Sequence, residues 1–146
     1  MTSQNYTCNF TITKTDKEVF DAIRQISKWW TKDFKGHCEK INDEFIIQHE
    51  DIHYSKHKLI EVITDKKLVW LITESKLNWL TMDKHEWTNT KTIFELIHQD
   101  GKTILNFTHQ GLTPEIECYE RCSKGWDLVI KTNLYKFLTE GKELAV

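Results

Sequence analysis

Chemistry in this 146-residue chain would have to come from seven histidines, four cysteines and one asparagine set in an apolar stripe. Histidine brings acid–base and metal chemistry near neutral pH, and cysteine brings nucleophilic, redox or metal chemistry. His53 and His57 share parity on a strand-like run, with His49 before them across a turn. Positions four apart on a strand are on the order of 13 Å apart, too wide for one metal ion. His98 and His109 lie at the open ends of the last hairpin, where solvated or core-edge rings are the favoured reading and a pair facing one another across it is the alternative. Cys8, Cys38, Cys118 and Cys122 form no CxxC pair, and a chain of this length needs no staples, so free packed thiols are expected. Cys118 and Cys122 share a helical face without a histidine at ligand spacing, which favours packing over a metal. Asn133 either bonds a group of the sheet or presents a handle to a ligand, since a buried amide must find partners. No HExxH, GxSxG, phosphate loop, dinucleotide fingerprint or zinc spacing occurs. Neither metal nor cofactor is expected, and no residue is singled out as catalytic.

The elements that would position these groups are legible from periodicity. "NYTCNFTIT" (5–13) alternates as a half-buried strand. "TDKEVFDAIRQISKWWTKDF" (15–34) opens on a capping pattern, Thr15 or Asp16 with Glu18, and continues at helical spacing. A break near Ser27 would give a second short helix carrying Trp29 and Trp30. "EFIIQHE", "IHYSKHKLIEVIT", "KLVWLIT", "TKTIFELIHQ" and "KTILNFTHQ" read as strands, with turn signals at 42–43 and at the Asp-Gly of 100–101. Trp126, Val129, Ile130, Asn133, Leu134, Phe137 and Leu138 then stripe one long helix, 115–140, that Gly141 would cap. Such a helix is roughly 39 Å long, and only a long or curved sheet offers it enough apolar surface. The expected class is therefore α+β: a curved antiparallel sheet of six to seven strands around a C-terminal helix, with two short helices after the first strand.

Composition narrows the partners. Twenty basic against 22 acidic residues leave a net charge of −2, without the basic excess that nucleic acid or an anionic membrane demands. No apolar run reaches the length of a membrane span, and the first ten residues lack a basic head followed by an apolar run, so a cytoplasmic address is expected. The length fits one domain, 1–146.

Several stretches resemble, in order, the single-domain relatives of the activator of the heat-shock chaperone ATPase, within the wider START and birch-pollen-allergen superfamily. They are "KEVFDAI" with the Trp29–Trp30 pair, "LIEVITDKKLVWLI" (59–72), "TIFELIHQDGKTILNFTHQGL" (92–112) and "GWDLVIKTNLYKFLTEG" (125–141). The resemblance implies a helix-grip fold with a cavity between sheet and helix, used in the superfamily for lipids, sterols, polyketides and other apolar molecules. It departs from the family at Thr64–Asp65, where prolines are usual, and at 73–90, which is long and aromatic. That connection is expected to extend or cap the sheet, with a lid over the cavity mouth as the sharper reading, and it is also a candidate dimerisation surface. No stretch resembles a separate chaperone-binding module, so a chaperone partner is not expected.

Alternation names the residues that should line the cavity. From the strands come Trp70, Ile72, Phe94, Leu96, Leu105, Phe107 and His109; from the helices come Trp30, Cys122, Trp126, Val129, Ile130 and Asn133. Aromatic walls without an acid–base constellation point to a binding protein for an apolar or amphipathic, lipid-like or aromatic molecule. Two alternatives stand beside it. One is an enzyme acting on a hydrophobic, polyketide-like substrate through His109 or Asn133; the weaker is a chaperone-associated interaction module.

Overall fold

Seven strands pair antiparallel into one sheet in the order β1-β7-β6-β5-β4-β3-β2 in the computed structural model, which describes residues 4–144. The reading of the chain's start as lacking a leader falls partly on residues 1–3, outside the described residues. β1 (Tyr6–Ile12) pairs with β7 (Lys102–Gln110), so the first strand closes against the last, while β2 (Phe34–Gly36), β3 (Glu44–His49), β4 (His53–Ile63), β5 (Lys67–Leu77) and β6 (Lys91–Gln99) fill the other positions. The Asp-Gly turn works as the sequence predicts. Asp100 and Gly101 both take positive φ, 53° and 75°, the mirror-image turn whose twist suits a two-residue hairpin. Register shifts at Lys56/His57 and Leu59/Glu61 interrupt the β4–β5 ladder. Such bulges bend and over-twist a strand pair, and they curve the sheet towards the helices.

Thr15 is the cap of α1 (Asp16–Ile23), and its hydroxyl and the Glu18 carboxylate satisfy one another's backbone N–H groups. The break before α2 (Ile26–Trp29) falls at Arg24–Gln25 rather than near Ser27. The Trp29 indole N–H donates to the carbonyls of Ala22 and Ile23 at 3.1 and 3.2 Å, which secures the kink from inside. Trp30 lies just beyond α2.

The C-terminal rod starts four residues later than predicted and is wound in three parts: α3 (Tyr119–Trp126), a π-helical stretch (Asp127–Leu134) and α4 (Tyr135–Glu140). Gly141, at φ 67°, ends it as a left-handed cap. The winding corrects the predicted stripe. Cys118, Cys122, Trp126, Ile130 and Leu134, spaced by fours, are the buried set, while Val129, Asn133, Phe137 and Leu138 are only partly buried. In α-helix a step of four overshoots one turn by about 40°. In the wider π-helix, at about 4.4 residues per turn, it undershoots by about 30°. Joining the two cancels the drift and keeps one row of side chains aimed at the concave sheet. The architecture is a helix-grip fold, with the core between the sheet's hollow face and the rod.

Candidate functional site

Most of the space under the rod is filled. Trp70 stacks on Trp30 at 6.4 Å between centroids, Phe94 meets Trp70 at 4.6 Å and Phe107 at 4.9 Å, and Phe107 meets Trp126 at 4.6 Å. Trp70, Ile72, Phe94, Leu105, Phe107 and Ile130 are at most 1% exposed, and Leu96 is buried beside them. These residues, named as cavity lining from the sequence, pack as core beneath the rod and are not among those that line the open cleft. Asn133 lies elsewhere, in a shallow groove of about 240 Å3 beside Lys28, Lys136 and Lys142.

An open cleft of about 370 Å3 remains towards the start of the rod. Of the predicted set, Trp30, Cys122, Trp126 and Val129 line it. Trp79 and Trp87 join them from the 78–90 connection, His49 and His53 from the β3–β4 hairpin, and Arg121 from the rod. The sequence reading passed over Trp79, Trp87, His53 and Arg121 as site residues. The aromatic density of 73–90 was the available signal for the first two. The connection extends β5 as far as Leu77, and beyond it Trp79 and Trp87 line the cleft.

Paired carboxylates hold that connection to the rod. Glu117 accepts hydrogen bonds from the backbone N–H groups of Thr81 and Met82 at 3.0 Å each and from the Thr81 hydroxyl at 2.8 Å. The N–H groups of Met82 and Thr81 and the Thr81 hydroxyl keep the Glu117 carboxyl below the usual range. Glu86 in return accepts from the N–H groups of Glu117 and Cys118, at 2.9 and 3.1 Å, at the mouth of α3. Unpaired N–H groups at a helix start favour such an anion. Above the cleft, the Arg121 guanidinium lies 4.4 Å from the Trp79 ring centre. None of the ion pairs formed among the described residues takes up its charge.

The histidines differ from the strand arithmetic. His98 pairs with Thr103 beside the turn and reaches towards Asp16, whereas His109 pairs with Thr92 at the far end, so the two do not meet. His109 is fully buried with both ring nitrogens engaged. Trp126 Nε1–H donates to Nδ1 at 3.0 Å, which leaves the proton on Nε2 to be donated to Thr90 Oγ1 at 2.8 Å. Burial lowers its pKa to about 3, so the ring stays neutral. Gly111 permits this approach, because a Cβ there would sit 2.5 Å from the Thr90 methyl. His53 and His57, expected to stand apart, are joined instead. Ser55, between them on the concave face, lies 2.9 Å from His53 Nε2 and 2.8 Å from His57 Nε2. Burial, with His49 nearby, lowers the His53 pKa to about 4; burial above all, then His53 and His109, lowers that of His57 well below the ordinary value.

A second groove, larger at about 470 Å3, runs between β1 and the rod with largely polar walls. Tyr6 there donates to Asp127 Oδ1, and burial, then that carboxylate, raises the phenol's pKa. Its polar pair is mutually satisfied and it holds none of the tryptophans, so volume alone does not make it the better site. All four cysteines are buried and free. The hydrogen bond with Cys118, then burial, raises the Cys122 pKa, which leaves that thiol a packing surface on the cleft wall rather than a nucleophile.

A curved sheet and a gripping rod, with an aromatic cleft at its start, define a helix-grip domain. The family model of the Activator of Hsp90 ATPase homolog 1-like protein matches residues 15–139, and the chain belongs to that family. Among solved structures, the Aha1 dimer of Colwellia psychrerythraea is similar with a TM-score of 0.77 and 19% identity, over 95% of this chain and 98% of that one. CalU16 of Micromonospora echinospora is similar at 0.65 and 13%, over 92% and 76%. DynU16, a protein of the dynemicin biosynthetic locus, gives 0.65 and 14%, over 94% of this chain and 48% of its own. Likeness at these identities is likeness of fold. Among curated proteins nothing matches. No helix among the described residues is long and apolar enough to cross a membrane.

Proposed function

We propose that the protein binds a small amphipathic aromatic molecule in the cleft under the start of the rod. The observation that carries this reading is the composition of the cleft wall. Trp30, Trp79, Trp87 and Trp126 surround about 370 Å3, within the roughly 300–1,000 Å3 of small-molecule pockets, with Arg121, over the Trp79 ring and without an ion pair among the described residues, at the rim. Flat apolar rings gain contact area against indoles at little entropic cost, and an anionic end on the ligand would lie at Arg121. DynU16, similar in fold, comes from the dynemicin biosynthetic locus, which fits this reading. An enzyme working through His109 or Asn133 finds less support: His109 has no free nitrogen and Asn133 lies outside the cleft.

Calorimetric titration with naphthalene-2-carboxylate tests the reading. Saturable one-to-one binding is expected, accompanied by quenching of tryptophan fluorescence. Because Arg121 is exposed, its pair with the carboxylate is worth the small amount typical of surface ion pairs. Arg121→Gln should therefore weaken binding only about threefold, and the difference should vanish in high salt. Absence of binding by this and other two-ring aromatics would refute the proposal.

A further inference from the structure

Along β4, His53, Ser55 and His57 occupy alternate positions on the concave face, so they run as a row from the cleft into the core. His53 belongs to the cleft wall, edge-to-face with Trp87 at 4.9 Å. His57 is fully buried, its ring stacked on Phe45 at 4.8 Å and set across Trp30 and Trp70. Ser55 Oγ touches Nε2 of both. A hydroxyl has one proton, so it donates to one imidazole and must accept from the other. Both rings are neutral, since burial disfavours their charged forms. Each therefore carries one proton, and the row has a direction.

That direction is decided at the buried end. His57 Nδ1 has no hydrogen-bond partner and is shut off from solvent. Were the proton there, the row would end in an orphaned N–H, the rarer and costlier defect; a bare nitrogen among rings is the more tolerable one. His57 thus holds its proton on Nε2 and donates to Ser55, Ser55 donates to His53 Nε2, and the His53 proton is left on Nδ1. Among the described residues His53 Nδ1 has no partner, and unlike His57 Nδ1 it is not sealed away. The cleft therefore contains a fixed hydrogen-bond donor.

We infer that the cleft selects aromatic carbonyl compounds, whose oxygen accepts from His53 Nδ1–H, and that Ser55 and His57 are positioning residues that hold His53 in the donating tautomer. This rests on the cleft being a binding site and adds the polarity of the group that its ligand must carry. A hydrocarbon of the same shape leaves that N–H without an acceptor in a largely apolar wall.

Two measurements test the inference. Nitrogen-15 NMR of histidine-labelled protein should show His53 protonated on Nδ1 and His57 on Nε2, without any ligand. The reverse assignment overturns it. Calorimetry with 2-acetylnaphthalene and with 2-isopropylnaphthalene, close in shape, should give about tenfold tighter binding of the ketone. In Ser55→Ala that preference should shrink to threefold or less, with the hydrocarbon's affinity unchanged, and the His53 signals should become those of a tautomer mixture. Equal affinities in the unaltered protein overturn the inference while leaving the cleft a binding site. Binding of neither compound overturns both readings. A preference that survives intact in folded Ser55→Ala overturns the positioning role.

Discussion

At the scale of single residues, His53, His57 and His109 show how one side-chain type acquires different duties from what lies at each nitrogen. Among the described residues His53 has one nitrogen without a partner and not sealed off, His57 has one sealed nitrogen without a partner, and His109 has both nitrogens occupied. His109 is the structural one, tying β7 to the rod through Trp126 and to the end of the 78–90 connection through Thr90. Thr90→Val keeps the shape against Gly111 and removes the hydroxyl, and with it both the acceptor for His109 and the donor to the Trp87 carbonyl. The buried Nε2–H would then lack an acceptor, at a cost of about 1–3 kcal/mol. Urea unfolding should show a midpoint lowered accordingly at unchanged slope. A midpoint within error of the unaltered protein would mean that the Thr90 bond is immaterial.

At the scale of elements, strand and helix positions were legible because each depends on local pattern. Thr15 with Glu18, the Asp-Gly turn and Gly141 each do what their neighbours in sequence require. The π-helical winding of 127–134 was not legible, since its reason is the row of Cys122, Trp126, Ile130 and Leu134 against a sheet curved by bulges that no local pattern announces. The carboxylate clamp was hidden for a similar reason. Glu117 and Glu86 look like two solvated acids in sequence, yet each serves backbone N–H groups more than 30 positions away. Glu117→Ala should release one side of the clamp without unfolding the protein. Hydrogen exchange at the Thr81 and Met82 amides should speed up at least tenfold, while the amides of β6 and β7 keep their protection. Unchanged exchange at Thr81 and Met82 would show that the connection is held by Trp87 and Leu80 packing alone.

At the scale of the whole molecule, the sequence pattern named a lined cavity, but four of the thirteen named residues line the actual cleft. Periodicity identifies which side chains face inward; it cannot say which of those the tryptophans will cover. The rows that link cleft and core also govern how the fold meets acid. His53, His57 and His109 all have folded pKa values below the ordinary 6.5: about 4 for His53, well below for His57 and about 3 for His109. A group with a depressed folded pKa binds its proton more readily when unfolded, so stability must fall as pH drops below about 6.5. Three such groups give a slope of up to about 4 kcal/mol per pH unit. The lowered carboxylates, Glu18, Asp21, Asp43 and Glu117, act at lower pH, where their unfolded forms begin to titrate from 4.5 down. A measurement at pH 5.5 therefore isolates the histidines. Calorimetric unfolding there, repeated in buffers of different ionisation enthalpy, should register uptake of about three protons. Uptake of fewer than one would mean that the rings are already charged in the folded protein, and the neutral Ser55-bridged row could not then exist.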